Sequence, residues 1–146
     1  VSSKMTEKQL ARLKSDLIED EGKRQYPYKC TAGKITIGVG RNLEDKGLRA
    51  DEIDYLFNND LEEYANRTKI VIPFFDQLNE VRQNVLINMA FNLGIHGLLT
   101  FQKALGAMLK EDFERAAEEM LNSKWATQVG ARAERLAREM KTGQWM

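Results

Sequence analysis

Hydrophobic positions change their period along the chain. Leu10, Leu13 and Leu17 recur at helical spacing. Thr6 followed by Gln9 forms a capping box just ahead of them, and Met5 is placed to staple onto Leu10. Gly22 is a natural helix stop, so the pattern predicts a first helix with Glu21 in its last turn. Tyr26 and Tyr28, then Ile35, Ile37 and Val39, alternate in strand fashion around the turn Thr31-Ala32-Gly33-Lys34. A β-hairpin is predicted across residues 26–40, where Gly38 and Gly40 permit tight bends or a close backbone approach. Residues 42–50 are polar and loop-like, with room for a short third strand.

From 51 to about 68 the helical period returns, with Ile53, Leu56, Phe57, Leu61 and Tyr64 on one face. Everything after Pro73 reads as helical. Residues 80–93 are apolar nearly all round (Val85, Leu86, Ile87, Met89, Ala90, Phe91, Leu93), the mark of a buried central helix. Gly94 and Gly97 are expected to end it, leaving His96 in a turn between helices. Shorter helices are predicted at about 100–109, 111–121 and 132–141. The fold class is therefore α+β, mostly α. The β-region has too few strands to build a core of its own, so a cleft beside it is the expected site.

Composition narrows the function. The chain has 146 residues, 42% apolar and 30% charged, the balance of a globular protein. Its 22 basic and 22 acidic residues cancel. Nucleic acid is not expected as a partner, because phosphate binding needs concentrated positive charge. The charge is uneven: residues 44–65 hold eight acids against Lys46 and Arg49, and residues 124–146 hold five bases against Glu134 and Glu139. Such segments line opposite walls of a cleft or are simply solvated helix faces. Cys30 and His96 are each alone of their kind, so no intrachain disulfide forms and no metal site or cofactor is expected. No apolar run reaches the ~18 residues of a membrane span, and stable membrane insertion is not expected. The chain opens on Val1, not Met, without a basic-then-apolar signal pattern; it is expected to be trimmed there.

Glu21 is the candidate acid. Glycoside hydrolysis needs one group to protonate the leaving oxygen and another to handle water or the anomeric carbon. The partial negative charge of a helix C-terminus and nearby apolar side chains both disfavour a charged carboxylate. Taken alone, a glutamate at a helix end is far more often an ordinary exposed residue.

The run Ile18-Glu19-Asp20-Glu21-Gly22, with Tyr28, Cys30, Gly33 and Thr36-Ile37-Gly38-Val39-Gly40, resembles the phage-type lysozymes, or endolysins, of glycoside hydrolase family 24. That family spaces a Glu, eight residues, Asp or Cys, five residues, then Thr; Glu21, Cys30 and Thr36 fit without a gap. The resemblance covers most of the chain, through Leu56-Phe57-Asn58-Asn59-Asp60, Ile87-Asn88-Met89-Ala90-Phe91-Asn92-Leu93-Gly94 and Thr142-Gly143-Gln144-Trp145. It implies one domain over residues 1–146, with a small β-containing lobe and connecting helix at 22–69 and a helical lobe of 1–21 plus 70–146. It also implies a peptidoglycan N-acetylmuramidase that cleaves the MurNAc–GlcNAc β-1,4 bond with inversion.

Residue roles follow from the same resemblance. Glu21 is the general acid and Thr36 helps hold the attacking water. Arg132 pairs with Glu21 and orients it, although a cation there opposes the effect of the helix end. Phe91 and Asn92 border the sugar cleft. Asn42, Ala104 and Glu119 stand at sugar-contact positions where relatives use other residue types. Arg41 and Asp60 are expected to form a structural ion pair. Cys30 stands where better-known members carry Asp, and three roles are open to it: base or nucleophile once ionised, water positioner, or mark of an attenuated enzyme. The implied partner is peptidoglycan, met by a monomer that waits in the host cytoplasm until a holin-type protein opens the membrane. Two alternatives stand beside this: a wall-binding module that has lost turnover, and a helical interaction protein with a coincidental motif.

Overall fold

A computed structural model describes residues 4–146; the reading of the extreme N-terminus at residues 1–3 lies outside them. Eight α-helices and a three-stranded sheet follow one another among the described residues. The mostly helical α+β class expected from the periodicities is what the chain adopts. It divides into two compact units, one ending at Tyr55 and the other Leu56–Met146.

In the first unit, α1 runs Glu7–Glu21. Thr6 caps it, accepting from the Gln9 amide at 3.1 Å, and this local bond sets where the helix starts. Gly22 ends it with φ 82° and donates its N–H to the Ile18 carbonyl at 2.8 Å. The antiparallel sheet follows in the order β1 (Arg24–Lys29), β2 (Ile35–Gly38), β3 (Arg41–Asn42). Tyr28 faces Thr36 across β1–β2, and Thr36 faces Asn42 across β2–β3. Pro27 is tolerated because β1 is an edge strand, where a missing ladder N–H costs little.

The stretch expected as loop at 42–50 is more ordered than predicted. Asn42 ends β3 and caps a one-turn helix, α2 (Leu43–Lys46), by accepting from the Asp45 amide at 3.0 Å. The long helix α3 runs Ala50–Val71, so the boundary between the units falls inside it.

The second unit holds the hydrophobic core. After a single 3-10 turn at Phe75–Gln77 comes α4 (Glu80–Leu99), then α5 (Gln102–Leu109), α6 (Phe113–Leu121), α7 (Lys124–Val129) and α8 (Ala131–Thr142). Val85, Leu86, Met89 and Ala90 of α4 are wholly buried, as the all-round apolar pattern predicted. Gly94 interrupts this helix, as its glycine signalled: with φ 78° and ψ 163° its backbone is not helical, and two helical segments meet at a kink there, the second reaching Leu99 with Ile95 and Leu98 buried. His96 accordingly sits on a helical turn rather than in a loop. Arg82 fastens α4 to the end of α8: its guanidinium donates to the Met140 and Lys141 carbonyls at 2.7 and 3.1 Å and stacks 3.5 Å above the Phe113 ring. Those carbonyls belong to the last turn of α8, where helix geometry leaves them without internal donors.

Candidate active site

Five of the singled-out side chains, Glu21, Cys30, Thr36, Arg41 and Asn42, belong to the first unit. Glu21 is the last residue of α1 and is solvent-exposed. Its carboxylate lies against the backbone of Gly40, close enough that a Cβ on Gly40 would come within 2.9 Å of Oε2. The helix end and the turn between β2 and β3 therefore meet at this carboxylate.

Cys30 and Thr36 come together on the hairpin. The turn between β1 and β2 is closed by the Cys30 amide donating to the Lys34 carbonyl at 3.0 Å and the Gly33 amide donating to the Cys30 carbonyl at 2.8 Å. Gly33 takes φ 77°, which a residue with a side chain adopts only with strain. That turn aims several donors at the sulfur. The Lys34 amide, then the Ala32 amide, hold the Cys30 thiol below its ordinary pKa; partial burial opposes them, and the Thr36 hydroxyl and the residue's own amide add to the lowering. Thiolate is thus more accessible than in a free cysteine, because donors bond to the charged form. Thr36 is buried at 3% exposure, and its hydroxyl donates to the Lys34 carbonyl at 2.8 Å. With one proton to give, that hydroxyl serves the carbonyl while Cys30 is a thiol and can turn to the sulfur when it ionises.

Arg41 does not pair with Asp60. Its guanidinium grips Glu52 in a two-pronged ion pair, at 2.8 and 2.6 Å, and also donates to the Gly47 carbonyl at 3.2 Å. Glu52 lies in the first turn of α3. Asp60 is eight residues further on, about 12 Å along the helix axis at 1.5 Å per residue. The Arg41 contact, with help from the Arg49 amide, holds the Glu52 carboxyl down at about 2. Asn42 spends its side chain on Asp45, with Oδ1 accepting from the amide and Nδ2 donating to the carboxylate, each at 3.0 Å.

The second unit places Phe91, Arg132, Ala104 and Glu119 in two grooves. One, of about 440 Å³, is lined by Phe57, Leu61, Asn84, Asn88, Phe91 and Arg132 among others. Phe91 packs edge-on to Phe57 with centroids 6.0 Å apart, and against Tyr64 at 5.3 Å. The Arg132 guanidinium donates to Asn88 Oδ1 at 2.7 and 3.1 Å. Asn88, invisible as a partner in the sequence, is what holds this cation within its own unit. The other groove, of about 490 Å³, brings Ala104 and Glu119 together with Phe101, Lys124, Trp125 and Gln128. Asn92 supports it from behind by accepting from the Trp125 indole N–H at 2.8 Å. Ala104 is only 1% exposed, so it shapes the wall more than it offers a contact. Trp125 was not singled out as a site residue; α7, which carries it, is too short for its periodicity to show.

Within the first unit, then, a helix-end carboxylate meets the sheet that carries a thiol and a hydroxyl. A family model described as "Phage lysozyme" matches residues 18–141, and the chain belongs to that family. Membership places it among muramidase-type peptidoglycan hydrolases. The chain is similar to "Probable T4-type lysozyme 1" of Dictyostelium discoideum, 27% identical over 92% of this chain and 96% of that protein. "Probable T4-type lysozyme 2" of the same organism is 26% identical over the same shares. Similarity also extends to "Pre-baseplate central spike protein Gp5" of Enterobacteria phage T4, 30% identical over 87% of this chain but only 27% of that protein.

Proposed function

We propose that the protein cleaves the MurNAc–GlcNAc β-1,4 bond of peptidoglycan, with Glu21 as general acid and the Cys30–Thr36 pair handling the attacking water. The observation that carries this is the close approach, within one unit, of the Glu21 carboxylate to Gly40, in the turn that follows the strand bearing Thr36 and paired with the strand that leads to Cys30. Glu21 donates its proton to the glycosidic oxygen as the bond to the anomeric carbon breaks. A water held by Thr36 attacks that carbon, and the Cys30 thiolate takes the water's proton. One sugar leaves as a free hydroxyl and the other gains the water oxygen, so atoms and charge balance. Attack by water from the opposite face inverts the anomeric centre. Arg132, whose guanidinium donates to Asn88 Oδ1 at 2.7 Å, is assigned the orienting role that the family resemblance implies for it.

The glycan strand is proposed to lie along the aromatic grooves of the helical unit, where Phe91 and Glu119 offer stacking and polar contacts. The biological setting we infer is host-cell lysis by a monomer released to the wall from the host cytoplasm by a holin-type protein. Clearing of chloroform-treated Gram-negative cells tests the activity. The wild-type protein is expected to clear them, and Glu21→Gln to lose at least a hundredfold of the rate, the typical worth of a positioned acid. Clearing by neither protein, with binding to purified sacculi retained, would make this a wall-binding module instead.

A further inference from the structure

We propose that Gly40 is a positioning residue for the Glu21 carboxylate, so that the absence of a side chain at position 40 sets where the acid sits. This rests on Glu21 being the general acid. A Cβ built on Gly40 would lie 2.9 Å from Glu21 Oε2, 3.2 Å from Cδ and 3.3 Å from Cγ. The first distance is shorter than real Cβ contacts, so the carboxylate has to move. Glu21 is the last residue of α1, fixed from behind by Gly22 donating to Ile18, so its backbone has little room to retreat. The side chain must rotate away from the hairpin, and with it the proton it delivers.

The hairpin supplies its own control. Gly38, the last residue of β2 and paired with Arg24, sits two residues earlier with φ 68°, against 66° at Gly40 in the turn. Alanine strains the backbone alike at both positions, since both need the left-handed region. Only at position 40 does the new methyl meet the acid; a Cβ on Gly38 has nothing within 4 Å. Backbone strain and carboxylate displacement are therefore separable by comparing two neighbouring glycines.

The test measures kcat, KM and the pH profile of kcat on purified sacculi for the wild type, Gly38→Ala, Gly40→Ala and Glu21→Gln. Gly40→Ala is expected to lose on the order of 10- to 100-fold in kcat with KM little changed, since misplacing a reacting group by about 1 Å costs up to about a hundredfold. Its pH profile should also move, because the acid changes surroundings. Gly38→Ala is expected to fall much less and to keep the wild-type profile. Equal losses in the two alanine variants, with unmoved profiles, would overturn the proposal and leave only backbone strain. Should Gly40→Ala fail to fold by circular dichroism, Gly40→Asn carries the same test, because asparagine tolerates the left-handed backbone yet still brings a Cβ. Glu21→Gln separates the two layers: substantial activity there removes the acid assignment itself, whereas an inactive Glu21→Gln with matched alanine variants removes only the role of Gly40.

Discussion

In the unit ending at Tyr55, Thr36 is the one buried residue among those described, whereas every buried hydrophobic side chain lies at Ile72 or beyond. The first unit is held by short-range polar contacts: the Thr6 cap, the Cys30–Lys34 turn, the Arg41–Glu52 pair and the Lys34 contacts with Glu44 and Asp45. The second is held by packed methionines, leucines and alanines, with Arg82 and Trp125 as its polar fasteners. Burying apolar area stabilises in proportion to that area, whereas exposed ion pairs contribute about 0–1 kcal/mol each. The unit that carries the proposed acid, thiol and water holder is thus the one with less to resist local opening. Stability and chemistry are divided between two kinds of force.

That contrast can be broken most visibly in the core. Leu86 is wholly buried, so Leu86→Ala is expected to cost about 2–5 kcal/mol by transfer and cavity terms together. Urea unfolding reads this as a lower midpoint. A shift within error would mean that the second unit is not the stabilising one. Next in size is an effect on chemistry without one on stability. Cys30→Ser keeps a hydroxyl in place of the sulfur but cannot ionise near neutral pH, and is expected to lower kcat about a hundredfold, the low end for a proton-transfer group. Cys30→Asp should recover much of the loss. Because the hairpin donors lower the thiol pKa, wild-type kcat should rise with pH at a midpoint below that of free cysteine, and Cys30→Ser should lack that rise. Unchanged turnover in Cys30→Ser would remove the thiolate from the mechanism.

The Arg41–Glu52 pair gives a smaller, pH-gated effect. Glu52 ionises at about 2 in the folded chain against 4.5 ordinarily. A depressed carboxyl contributes stability above its unfolded value, and that contribution is lost as pH falls through the folded one. The melting temperature of Glu52→Gln should therefore lie below that of the wild type above pH 4.5, and the gap should close as pH falls toward 2. A gap of constant size across that range would assign the loss to packing instead. Smallest of all, Leu13→Ala on the half-exposed stripe of α1 should cost under about 1 kcal/mol, near the range of surface substitutions.

Local signals were the legible ones. The Thr6 cap, the Gly22 stop, the hairpin and the all-round apolar run of α4 each announce themselves over a few residues, and each is present. Glu21, Cys30 and Thr36 could be singled out because their chain spacing is itself the family's motif. What escaped was decided by partners distant in sequence or by elements too short to show a period. Arg41 could meet Asp60 or Glu52 as far as charge goes, and only the start of α3 at Ala50 puts Glu52 beside it. Asn88 has no pattern that ties it to Arg132, 44 residues later. Helix α7 spans six residues, under two turns, and Ser123 starts it with a cap that looks like any loop serine. Gly94 breaks the helix as its sequence signalled, but the short helical segment that follows it and carries His96 is too brief to show a period. The approach of Gly40 to Glu21 left no sign beyond the presence of a glycine.

If the first unit, with its scant core, supplies the acid for glycan cleavage through Glu21, the products of cleavage carry its signature. The decisive measurement is digestion of purified sacculi by the wild-type protein and by Glu21→Gln, followed by mass spectrometry of the borohydride-reduced products. The wild type should release muropeptides ending in reduced N-acetylmuramic acid, and Glu21→Gln should leave the sacculi intact. Fragments ending in reduced N-acetylglucosamine, or equal digestion by both proteins, would contradict the assignment.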